Sequence, residues 1–167
     1  IPVATAIGVN TFLLAASSTP SPDLVAIGVT VSGDGIVRLP STSGAAFFAT
    51  AAVNIGVAGT ITASADDGGR GLALSMTICQ TNPTTGACLS PPAASTSSSI
   101  ANNQTVTYAI FVQALGAVAF DPANNRLFLR LREGSVTRGA THVAVCAGAA
   151  CPGGLLTAET SSSASLP

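Results

Sequence analysis

Four cysteines, one histidine and seven acidic residues are the side chains in this 167-residue sequence that could ligate a metal, carry a redox bond or move a proton. The cysteines fall into two local pairs, Cys79 with Cys88 and Cys146 with Cys151, although four cysteines allow three connectivities. Local pairing is the expectation. Asn82-Pro83 and Gly86 supply turn chemistry inside the first loop, and Ala147-Gly148-Ala149-Ala150 forms a tight second one before Pro152-Gly153-Gly154. Bridging loops this small contributes about 2–3 kcal/mol each in the chain-entropy description. A four-thiolate metal site is the competing reading, but zinc ligands usually stand about two to four residues apart and the first pair is more widely spaced. Free thiols are the third. Disulfides would place the chain in an oxidising compartment: periplasm, cell surface or medium.

His142 is the only imidazole, within Ala140-Thr141-His142-Val143-Ala144. A serine nucleophile needs a positioned base and usually an oxyanion hole, and strand alternation puts His142 on the face opposite Val143, as a surface residue. No Gly-x-Ser-x-Gly elbow accompanies it. Folding could pair two carboxylates as glycosidases do, but Asp23, Asp34, Asp66, Asp67 and Asp121 fall in turns, where Asp usually caps its own backbone. Asp66-Asp67 or the Asp121 loop could offer oxygens to calcium, without the dense ladder of oxygens calcium wants. Gly33-Asp34-Gly35 and Gly68-Gly69-Arg70-Gly71 precede strands rather than helices, so neither is a phosphate cradle. Asn103-Gln104-Thr105 matches the glycosylation triplet, which is common by chance. No catalytic residue, cofactor or metal ligand is expected, and the chain reads as a non-enzyme.

Composition points the same way. Hydrophobic residues make up 47% and charged ones only 8%, against roughly 25% charged in ordinary soluble domains. All six basic residues are arginine: Arg38, Arg70, Arg126, Arg130, Arg132 and Arg138. Only the stretch 126–138 clusters them, with Asp121 and Glu133 beside it, which is too little to neutralise a phosphate backbone, so nucleic acid is not an expected partner. A net charge of -1 opposes self-association only weakly. Mean hydropathy is high at +0.56, yet the longest apolar run, residues 44–53, is too short to cross about 30 Å of hydrocarbon as a helix, so membrane insertion is not expected. Ile1-Pro2-Val3 lacks the basic region of a signal peptide, and the start reads as a processed end.

The elements that carry these residues read as strands throughout. Residues 24–31 and 36–39 flank Ser32-Gly33-Asp34-Gly35 and are expected to pair as a hairpin. Runs 46–53, 59–65, 72–78, 105–115 and 127–132 follow, several with strict two-residue alternation, and a final strand covers 141–145. Pro91 to Ser99 reads as a low-complexity loop. About eight to ten short strands with turns between them predict an antiparallel Ig-like β-sandwich. Three parts are expected: an N-terminal strand extension and Pro/Ser linker over 1–22, the sandwich over 23–156, and a Ser-rich tail over 157–167.

Three stretches carry a resemblance: Cys79-Gln80-Thr81-Asn82-Pro83-Thr84-Thr85-Gly86-Ala87-Cys88-Leu89, Phe120-Asp121-Pro122-Ala123-Asn124-Asn125-Arg126, and Val136-Thr137-Arg138-Gly139-Ala140-Thr141. The chain resembles Ig-like modules of large secreted or cell-surface bacterial proteins, over roughly two thirds of its length from about Asp23 onward. That resemblance implies an extracellular β-sandwich and transfers no catalytic residue. The Cys146 to Cys151 loop and the Ser-rich end depart from the pattern.

Function is therefore expected to be structural: an extracellular subunit that self-associates with copies of itself into a fibre or surface assembly. Residues 1–16 form an uncharged, strand-prone segment that could be donated to a neighbour, with Val3, Ile7, Val9, Phe12, Leu13 and Leu14 at the interface. The alternative is an adhesion module presenting the Cys79–Cys88 loop or residues 91–99 to a surface glycan or protein. No Trp and one Tyr leave few platforms for sugar stacking.

Overall fold

The computed structural model describes residues 18–149, 151 and 152. Among them nine strands run in order: β1 (Leu24–Thr30), β2 (Ile36–Leu39), β3 (Ala45–Asn54), β4 (Gly59–Asp66), β5 (Leu74–Thr81), β6 (Ser95–Ile100), β7 (Thr105–Ala114), β8 (Arg126–Glu133) and β9 (Val136–Ala147). They form two sheets, β1-β3-β7-β5 and β2-β9-β8-β4-β6. All pairings are antiparallel except β2 with β9. The fold is an all-β sandwich of immunoglobulin-like type.

The two-residue period builds its core. On β7, Val106, Tyr108, Ile110 and Val112 point inward while Phe111 points out. On β8, Leu127, Leu129 and Leu131 are fully buried and the intervening Arg126, Phe128 and Arg130 face outward. Phe48, Ile61, Ile78, Ile100 and Val145 complete the layer between the sheets. Each buried side chain of this size contributes about 1.5–3 kcal/mol, so packing rather than the disulfides holds the sandwich together.

Three expectations change. The segments around Gly33-Asp34-Gly35 do not form a hairpin: β1 pairs with β3 in the first sheet, and β2 pairs in parallel with β9 in the second. Gly33 and Gly35 both take positive φ, and Gly33 N–H and Gly35 N–H bond to the Thr30 carbonyl and Thr30 Oγ1. This re-aims the chain across the sandwich, so that Val37 and Leu39 enter the core from the opposite side. Residues 95–99, expected as part of a loop over 91–99, form with Ile100 the edge strand β6 on β4. Its hydroxyls suit a strand with one edge and one face in water, and Thr62 and Ser97 bond across it at 2.8 Å. The last strand begins at Val136 rather than residue 141, because Gly134 with φ 56 makes the β8–β9 turn tight.

One buried polar residue ties the lower end together. Asn54 is fully buried, and its Oδ1 accepts from Asp23 N–H at 3.1 Å and Gly56 N–H at 3.0 Å. Its Nδ2 donates to the carbonyls of Val57, Ile100 and Ala101 at 2.8, 3.2 and 3.3 Å. The entry to β1, the β3–β4 connection and the β6–β7 turn thus share a single amide.

Candidate functional site

Both cysteine pairs are bridged as the local pairing requires: Cys79 to Cys88 and Cys146 to Cys151. No cysteine among the described residues is free. The first loop has further ties, since Asn82 N–H donates to Ala87 O, Gly86 N–H to Asn82 O and Leu89 N–H to Gln80 O. Two disulfides indicate an oxidising environment, and no helix among the described residues is long and apolar enough to cross a membrane. The six residues expected at an assembly interface, Val3, Ile7, Val9, Phe12, Leu13 and Leu14, lie outside the described residues.

Asp34, Asp67 and Asp121 make local bonds in turns, whereas Asp66, expected in a turn, ends β4 and pairs across to β8. Asp67 accepts from the N–H groups of Gly69 and Leu72, and Asp66 pairs with Arg130 at 2.6 Å. Asp121 accepts from Asn124, and Asp34 pairs with Arg38 at 2.8 Å. Among the described residues no group of three or more His, Cys, Asp and Glu is placed to hold a metal ion. His142 is half-buried rather than freely exposed: its ring packs edge-on against Phe128, with centroids 5.4 Å apart, and its Nδ1 lies 3.2 Å from an Arg126 amino group. Burial lowers the pKa of the Arg126 guanidinium.

His142 and Arg126 belong to a groove of about 870 Å³ that runs beside β1 over the outer face of β8 and β9. Its phase along β1 follows from one bond. Ile55 N–H donates to Asp23 O at 2.8 Å, so in this antiparallel ladder Asp23, Val25, Ile27 and Val29 bond toward β3. Leu24, Ala26 and Gly28 turn their N–H and C=O groups the other way. Among the described residues these groups have no strand partner, because β1 pairs with β3 alone. β9 mirrors the arrangement. Ala144 N–H donates to Gly35 O, which turns the backbone groups of Ala140 and His142 toward the same side, below the point where β2 stops pairing.

The two edges touch without bonding. Gly139 lies under Leu24, where a Cβ would come within 2.3 Å of the Leu24 carbonyl oxygen, and a Cβ on Gly28 would meet Val143 at 3.2 Å. The groove's far wall is Phe120, Phe128 and Arg126, and the β1–β2 turn at Asp34 and Gly35 closes its upper end. Chemically this is an open strand edge beside a partly aromatic trough.

The chain enters β1 in line with that edge. Val57 N–H donates to Ser21 O at 3.3 Å, continuing the antiparallel register below Asp23, and Arg138 Nη1 donates to Ser21 Oγ at 3.1 Å. Pro22 is buried against Gly59, and the chain bends at Ser18 and Thr19 before residues 20–23 lead into β1. The sequence carries a signal for this edge, the alternation of residues 24–29, but cannot tell which side of β1 remains unpaired.

No protein-family model matches this chain, and no curated protein matches it. Solved structures of similar shape include AvmM, which catalyses macrocyclization in alchivemycin A biosynthesis, at 13% identity and a TM-score of 0.45, covering 80% of this chain and 93% of that one. The CARDB domain of the PF1109 protein from Pyrococcus furiosus, in complex with di-metal ions, matches at 9% identity and a TM-score of 0.39, covering 80% and 99%. A PapD-like domain of human CEP192 matches at 10% and 0.37, covering 88% and 96%.

Proposed function

We propose that this chain is an extracellular structural module that builds homopolymeric assemblies by strand addition at the open edge of β1. The observation that carries this reading is that, among the described residues, the backbone groups of Ala26 and Gly28 on the outer edge of β1 have no strand partner and border the groove of about 870 Å³. An added strand gains main-chain hydrogen bonds along that edge and places alternate side chains over the trough formed by Phe120 and Phe128. The donor is the uncharged segment at residues 3–14 of a neighbouring copy, with Val3, Ile7, Val9, Phe12, Leu13 and Leu14 supplying the apolar contacts. Pro20 and Pro22 stiffen the link between that segment and β1. The low net charge of -1 leaves little repulsion between subunits.

Negative-stain electron microscopy of the purified whole chain tests this. Filaments are expected from the native sequence. Deleting residues 1–16 is expected to leave a folded chain that no longer forms filaments, and filaments that persist in that variant overturn the proposal.

A further inference from the structure

The charge in this molecule is sorted by sheet. The four strands of the first sheet, β1, β3, β7 and β5, contain no Asp, Glu, Lys, Arg or His. The strands of the second carry Arg38, Asp66, Arg126, Arg130, Arg132, Glu133, Arg138 and His142. The outer face of the first sheet is also apolar. Ile27 is 63% exposed and Phe47 50%, with Val25, Val29 and Phe111 also open to solvent. Register sets these side chains against one another across the strands: Val25 opposite Val53, Ile27 opposite Ala51, Val29 opposite Ala49 and Phe47 opposite Phe111. The two phenyl rings lie 6.5 Å apart at the centre of the face. Toward β5 the face ends in the hydroxyls of Thr107, Ser75 and Thr77.

We infer that this charge-free face is a lateral interface between two copies of the chain, packed sheet on sheet about a two-fold axis. A charged partner surface would lose its hydration against Val25, Ile27 and Phe47 with no opposite charge to meet it. On this molecule the other broad outer surface, that of the second sheet, holds the arginines. Among the described residues the surface that matches this face is therefore the same face of a second copy, which is the isologous arrangement of a symmetric dimer. The face has an apolar centre and a hydroxyl rim, the usual anatomy of an interface. Four strands about 4.8 Å apart and about eight residues long at about 3.4 Å give a projected face of roughly 500 Å². Two such faces bury about 1,000 Å², in the range of weak or transient interfaces. The pairing is accordingly weak for an isolated pair and multiplied along a polymer by effective concentration. The inference uses a different surface from the β1 edge and does not rest on strand addition.

Sedimentation equilibrium of the whole chain separates the two. The variant Ala26→Pro blocks the β1 edge at a residue whose N–H does not serve β3, and leaves the sheet face untouched. In that background a reversible monomer–dimer equilibrium is expected. Adding Ala49→Lys, which places an ammonium at the exposed centre of the face, is expected to weaken association at least tenfold. Val29→Lys should do the same, whereas Ser99→Lys, exposed on β6, should change it less than twofold. A strictly monomeric Ala26→Pro chain at millimolar concentration overturns the inference, and so does an equal effect of Ser99→Lys. Coverage of the face by the chain's own residues 1–17 would produce the first of these results.

Discussion

Among the described residues, Asn54 is the side chain that joins the entry of β1 to both the β3–β4 connection and the β6–β7 turn, and alanine removes it. Oδ1 accepts two backbone N–H groups, from Asp23 and Gly56. Nδ2 has two protons for the three carbonyls of Val57, Ile100 and Ala101, so one is shared between Ile100 and Ala101. Four bonds at about 1 kcal/mol each set the scale, and unsatisfied buried partners would raise the cost while water entering the gap would lower it. The expected loss is about 3–4 kcal/mol, a large share of a domain's usual 5–15 kcal/mol. For a domain of this size that corresponds to a fall in Tm of roughly 10–15 °C. Calorimetry and urea titration on the whole chain give both numbers, and an unchanged m-value keeps the comparison two-state. Asn54→Asp sharpens the test: it retains the acceptor but sets a carboxylate against three carbonyl oxygens. Its folded pKa is then raised, so its penalty is full at neutral pH and eases as the pH falls through that value. A loss below about 1 kcal/mol for Asn54→Ala, or a pH-independent penalty for Asn54→Asp, refutes the reasoning.

Gly139→Ala drives a methyl group into the Leu24 carbonyl and is expected to cost about 2 kcal/mol by urea titration while increasing hydrogen exchange along β1. The Arg38 guanidinium and the Ser32 hydroxyl hold the Asp34 carboxyl well below its usual range. Burial pulls Asp67 upward, but the N–H groups of Leu72 and Gly69 outweigh it and its pKa is lowered from 3.8. Both are depressed carboxylates, so their stabilisation is complete above about pH 5 and is lost as the pH falls toward the folded values; Tm should hold from pH 7 to about 5, then drop, and drop less in Asp34→Asn. Reducing both disulfides is expected to lower the unfolding free energy by about 2–3 kcal/mol per bridge while the far-ultraviolet β-sheet spectrum persists, since the core is formed elsewhere. Loss of that spectrum on reduction at 25 °C would contradict it.

The sequence was most legible where one face is buried and the other is wet. The alternation of Leu127, Leu129 and Leu131 with Phe128 and Arg130 located β8 and its core side. The same logic separated Phe111 from Tyr108 and Ile110 on β7. It misled at Gly33-Asp34-Gly35, because two strand-like runs around a glycine turn look alike whether they pair or cross between sheets, and the partners of β1 and β2 lie far along the chain. β6 was missed because a serine-rich edge strand has almost no hydrophobic signal. Asn54 reads as an ordinary turn-adjacent residue; only tertiary structure brings Asp23, Ile100 and Ala101 to it. The open edge and the charge-free sheet are likewise products of topology, since local sequence shows neither which strands become neighbours nor where pairing stops.

The most direct test of strand addition is electron microscopy of the whole chain carrying Ala26→Pro. Proline is tolerated on an edge strand whose N–H is not used by its neighbour, and it removes the donor in the middle of the proposed acceptor edge. With circular dichroism unchanged, filaments formed by the native chain should be absent from the variant, leaving at most dimers. Filaments of normal length from a folded Ala26→Pro chain would contradict assembly at this edge.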